Sequence, residues 1–222
     1  MTTMMRTSLF LGTILLVCNT NAMADVTVTQ GASAPMYTNT LNFDEPGQQT
    51  GPVPGNYWNG IGITEFVSGV GDGGVGDVSG IFPWINDGNA FEGPFGVFIR
   101  FAGDLTGFSA QVWDPSGPPG PFGGGFGVFV FNDADPMDPN PTPVATLFGE
   151  PAWGGLPGDG EWVNISTTGG MVFDEVRILG FGFSPTTYVD NLSWDTSSAI
   201  PEPGSCGLIF MAAATIAVRR RK

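Results

Sequence analysis

Most of this chain is written in short runs where apolar and polar residues alternate, each closed by glycine, proline, asparagine or aspartate. Val26-Thr27-Val28-Thr29 is the simplest case, and Phe108-Ser109-Ala110-Gln111-Val112 repeats the pattern. A period of two over a few residues puts one side of a strand in a core and the other in water. The pattern predicts strands over 26–29, 38–44, 61–67, 95–101, 108–113, 126–131, 144–148, 162–166, 172–179 and 187–194. These runs are rich in β-branched and aromatic residues, which suit a pleated, half-buried surface. No stretch of ten residues carries a 3.6-residue period. The chain therefore reads as all-β, a two-sheet antiparallel β-sandwich of jelly-roll type, with Phe and Trp filling the layer between the sheets. Phe-Gly-Val-Phe occurs at 95–98 and again at 126–129, as in two similar buried strands. Glycine-, proline- and aspartate-rich stretches at 72–80, 114–125 and 132–143 read as long loops.

The two ends break the pattern. Residues 1–24 hold Arg6, an apolar stretch over 9–17 and Ala22-Met23-Ala24 just before Asp25. That order is a secretory signal peptide, with cleavage bracketed by Ala22, Ala24 and Asp25. At the other end stand Pro201-Glu202-Pro203, an apolar run over 206–218 and Arg219-Arg220-Arg221-Lys222. The prolines hold their piece extended. The apolar run is shorter than the roughly 17–25 residues of a stable spanning helix, so it predicts a short apolar helix and transient membrane insertion. The basic end stays on the cytoplasmic side. Three segments follow: 1–24, 25–198 and 199–222.

Composition narrows the middle segment. Residues 25–198 contain 20 Asp and Glu against two arginines, Arg100 and Arg177, a net charge of −18 where the whole chain carries −14. Such a body repels nucleic acid and anionic membranes. The chain has no histidine, and its two cysteines, Cys18 and Cys206, lie in the end segments. A disulfide framework, a thiolate or imidazole zinc site and a histidine-based nucleophilic mechanism are thereby excluded from the middle segment. Paired carboxylates for glycoside hydrolysis are compatible with so many acids, so a secreted polysaccharide hydrolase stays open beside a non-enzymatic module.

The tail resembles the PEP-CTERM sorting signal of Gram-negative-type bacteria, on Pro201, Glu202 and Pro203, the apolar run and the terminal cluster Arg219, Arg220, Arg221 and Lys222. The same tail is also labelled an ice-binding protein C-terminal domain. The resemblance implies export, recognition by an exosortase-type transpeptidase in the inner membrane, and delivery to the cell surface or an extracellular polysaccharide matrix. The middle segment is similar to exported jelly-roll domains related to carbohydrate-binding modules. The likeness rests on Asn42-Phe43-Asp44-Glu45 near its start, Tyr188-Val189-Asp190-Asn191-Leu192 near its end, and Val176-Arg177-Ile178 between them. It implies that Asp44, Glu45 and Asp190 share a structural Ca²⁺, a cation that takes six to eight oxygens. The other reading makes Asp44 and Asp190 turn caps, with Arg177 as a counter-charge. Trp58 and Trp153 stand beside glycine-, proline- and asparagine-rich loops, where an aromatic ring either stacks on a sugar or anchors the core. Asp133, Asp135 and Asp138 lack the glycine and glutamate of an EF-hand loop and read as a solvated turn. The expectation is an exported structural or glycan-associated module, with a dedicated carbohydrate-binding module and a hydrolase as alternatives.

Overall fold

A computed structural model describes residues 25–79, 88–113, 126–133, 141–149, 162–180 and 186–197. The leader with Ala22 and Ala24, the 199–222 tail and Trp153 lie outside the described residues, while Asp25 opens the first strand.

The described fold is all-β and antiparallel throughout. Its strands are β1 (Asp25–Gly31), β2 (Asn39–Leu41), β3 (Gly51–Val53), β4 (Ile63–Ser68), β5 (Gly73–Asp77) and β6 (Asn89–Pro94). They continue with β7 (Val97–Trp113), β8 (Phe126–Phe131), β9 (Ala145–Gly149), β10 (Trp162–Thr168), β11 (Phe173–Gly180) and β12 (Thr186–Thr196). A single 3₁₀ turn, Asn59–Ile61, precedes β4. Among the described residues, no helix is long and apolar enough to cross a membrane.

One strand organises the sandwich. β7 runs for 17 residues and serves both layers. Its first part pairs with β4 and β11, giving a first half ordered β4-β7-β11-β8-β9. Its second part pairs with β10 and β12, giving a second half ordered β1-β10-β7-β12-β6-β5-β3. β2 lies on the far end of β12. The crossing passes through Ala102, Gly103 and Asp104, which are exposed, and the β11 register shifts beside it. A strand that turns a corner between sheets needs such a break in its ladder.

The halves meet face to face through aromatic rings. Phe66 on β4 and Phe91 on β6 have centroids 4.2 Å apart, and Phe101 on β7 sits 5.6 Å from Trp194 on β12. Phe43 and Trp58 join the first group at 5.6 Å from each other. Ile99, Val128, Val163, Ile165, Val176 and Val189 complete one continuous core.

Two sequence expectations need correction. The pattern reads 95–101 and 108–113 as separate strands; 97–101 and 108–113 both belong to β7, while Phe95 and Gly96 precede it with positive φ. The 72–80 stretch was expected as a loop, and it contains β5, while β3 and β6 carry no clear alternation at all. The cause is packing. A side chain at Gly73 would strike the ring of Phe91, so the neighbouring strand's aromatic occupies the space that β5's own side chains would fill.

Candidate functional site

The site follows from alternation in three adjacent strands. On β7, Phe108, Ala110 and Val112 point into the core, which turns Gly107, Ser109, Gln111 and Trp113 to the outer face of the second half. On β10, Val163 and Ile165 go in, so Trp162, Asn164 and Ser166 go out. On β12, Val189 goes in and Asp190 out. A bulge at Asn191, which takes φ 49°, resets the phase so that Leu192 and Trp194 go in and Ser193 out. The ladders put Trp162 opposite Gln111 and Gln111 opposite Asp190. They also align Asn164, Ser109, Ser193 and Thr40 in the next row. These two rows are polar apart from one large ring, Trp162; Trp113 and Tyr188, paired in the row beyond, are also turned outward.

The segment between β1 and β2 crosses this face as a strap. The Asn164 amide donates to the Ser33 carbonyl at 3.0 Å, and the Tyr37 hydroxyl donates to the Ile165 carbonyl at 3.1 Å. The Thr38 amide donates to Asp195 Oδ1 at 2.8 Å. Tyr37 lies flush on the sheet because position 107 is glycine; a β-carbon there would collide with the Tyr37 ring. Burial, then the nearby Asp195 carboxylate, raises the Tyr37 pKa, so this phenol stays a neutral donor.

Between the strap and the sheet lies an open cleft of about 360 Å³. Its walls include Met36, Tyr37, Thr40, Asn42, Trp162 and Asn191. Asn42 Nδ2 donates to Asn191 Oδ1 at 3.0 Å, and Asn191 Nδ2 donates to Gln111 Oε1 at 2.7 Å. Ser193 Oγ is fixed by a 2.8 Å bond to Ser109 Oγ. A relay of amides and hydroxyls fixed by its own hydrogen bonds therefore borders two aromatic rings, Trp162 and Tyr37, and among the described residues no charged side chain lines the cleft.

The two motifs singled out in the sequence do come together. β2 pairs with β12, and Asn42 bonds Asn191 across that junction. Their acidic members do other work. Asp44 Oδ1 accepts from the Asn89 backbone amide at 2.8 Å and from Asn89 Nδ2 at 2.7 Å. Asp190 is fully buried on β12 opposite Gln111. Among the described residues, no three His, Cys, Asp or Glu side chains gather as a metal group. Arg177 is not their counter-charge. It pairs with Glu175 and lies 4.4 Å from the Phe131 centroid.

Trp58 also needs correction as a ligand-binding residue. It is 4% exposed and packs against Phe66 at 4.9 Å and Phe91 at 5.9 Å, so its faces are already covered. Besides Tyr37 of the strap, the aromatic that reaches the cleft is Trp162. The sequence carried a usable signal for it, since Trp162, Asn164 and Ser166 share the polar phase of their strand.

Beside the site, Trp113 and Tyr188 pack with Val78 and Ala90 in a small outer cluster. Burial, and secondarily the adjacent Glu92, pushes the Tyr188 phenol up to about 12 from the usual 10.0. Its folded pKa lies above its unfolded value, so the stability it contributes is complete below pH 10.0 and is lost as pH rises towards about 12. Ultraviolet titration of the folded protein is expected to show this late-ionising tyrosine, and Tyr188→Phe is expected to remove it. A tyrosine spectrum that titrates wholly at the ordinary value contradicts the assignment.

No family model matches the chain, and no curated protein does. Among solved structures, CsCBM6-3 from Clostridium stercorarium, determined in complex with cellobiose, is similar at 17% sequence identity and a TM-score of 0.25, over 77% of this chain and 94% of that one.

Proposed function

We propose that this chain is an exported, non-catalytic module that associates with extracellular polysaccharide through the cleft beside Trp162. The observation that carries this reading is the side-chain set of the cleft: the half-buried Trp162 indole, facing Tyr37 of the strap, next to the fixed Asn42–Asn191–Gln111 amide relay. Sugars present apolar C–H faces edged by hydroxyls. An indole covers the first, and amides and hydroxyls held in place by their own hydrogen bonds address the second. Preorganisation of the relay reduces the side-chain ordering cost of binding. The 1–24 leader would deliver the module across the inner membrane, and an exosortase acting on the 199–222 tail would sort it to the surface or matrix.

Retention in native gels containing polysaccharide tests this reading. Trp162→Ala is expected to weaken retention at least about tenfold, since a central ring contributes more than about 1.4 kcal/mol. Its melting temperature should stay near that of the native protein. Retention that persists unchanged in Trp162→Ala overturns the reading.

A further inference from the structure

The outer face of the first half differs from the rest of the molecule. Ladder pairing aligns Val67, Phe98, Arg177 and Phe129 in one row across β4, β7, β11 and β8. The next row is Glu65, Arg100, Glu175 and Phe131. Phe148 on β9 stands 5.8 Å from Phe129, ring edge to ring face, and is 70% exposed. Arg100 bonds Glu65 at 2.9 Å and Glu175 at 2.7 Å, and Arg177 also pairs with Glu175. Arg100 and Arg177 are the only cations in residues 25–198.

We propose that this face is where a second copy of the chain docks, the two copies related by a two-fold axis. The argument is charge complementarity under symmetry. An isologous contact sets one patch against itself, so the patch must contain both partners of every pair it makes. Residues 25–198 carry 20 acids, and away from this face no cation of that segment can meet an acid of the other copy. Here each copy offers Glu65, the most exposed acid of the network, and the partly exposed Arg100 and Arg177. Apolar contact adds to it. Val67, Phe98 and Phe129 share a row in which Arg177 lies over the Phe98 ring, and Phe148 sits diagonally beside Phe129, giving an apolar surface with a cation inside it, of the kind that marks association sites. Repulsion between two bodies of charge −18 disfavours other orientations.

Sedimentation equilibrium of the full chain tests the proposal. Phe148→Asp and Thr146→Asp both place an acid on β9 at this face, and Thr27→Asp places one on exposed β1 as a control. The native chain is expected to show a monomer–dimer equilibrium. Each β9 variant should raise the dissociation constant at least about tenfold, with the control unchanged. Thr146 is an exposed edge residue, so its variant reports on docking even if Phe148→Asp unfolds the chain. A native chain that stays monomeric, or association that survives Thr146→Asp, overturns the proposal.

Discussion

Trp58→Ala is expected to destabilise the fold by about 3–5 kcal/mol and to leave polysaccharide retention of the folded protein intact. The indole contacts Phe43, Phe66 and Phe91, the rings that tie β4 to β6 across the sandwich. Its removal opens a large cavity in a region built of stiff rings, which relax little into the void. A loss of that size is a large share of the stability of an ordinary domain. Trp58→Phe separates ring from polar tip. The buried Trp58 Nε1 has no hydrogen-bond partner among the described residues, so phenylalanine forfeits volume but no hydrogen bond. The loss in Trp58→Phe should therefore be well under half of that in Trp58→Ala. Urea unfolding gives both values. Weak retention with normal stability in Trp58→Ala would return Trp58 to the ligand site.

Glu175→Gln is expected to cost about 3 kcal/mol, at the lower end of what breaking a buried ion pair costs. The Glu175 side chain is 3% exposed and accepts from both Arg100 and Arg177. Glutamine keeps the shape but removes the negative charge that two guanidinium groups share. Both arginines keep some contact with water, and Arg100 keeps Glu65, which holds the loss below that of a sealed pair. Burial opposes the Arg100 charge, but Glu175, with a smaller share from Glu65, outweighs it and raises the Arg100 pKa. The change should appear as a lower urea midpoint with an unchanged slope. Stability equal to the native protein's would mean that water, not Glu175, supports the two cations.

The sequence made some of this architecture legible and concealed the rest for physical reasons. A strand with its own two-residue period, such as 162–166, was recognisable because its core residues lie within the strand, whereas in 187–194 the Asn191 bulge breaks the phase. β5 was not, because Phe91 of β6 supplies the bulk over Gly73. The 17-residue length of β7 was hidden because its two parts face different layers and an exposed Gly103 separates them. For the site, the pairing of the 42–45 and 188–192 motifs was legible, yet its chemistry resides in the amides of Asn42 and Asn191, not in the carboxylates. Carboxylates are common throughout this acidic chain, so a nearby pair carried little information. Trp58 and Trp162 differ in the local structure that positions them. For Trp58, beside a 3₁₀ turn, the local pattern gives no phase; for Trp162, at the head of a strand, it does.

The most direct test of the central assignment is an NMR titration with a soluble oligosaccharide of a retained polysaccharide. The account predicts that the indole N–H signal of Trp162 and the side-chain amide signals of Asn42 and Asn191 shift together along one saturation curve, with Trp58 and Trp194 unmoved. Saturable binding that shifts other residues and leaves Trp162, Asn42 and Asn191 in place would contradict it.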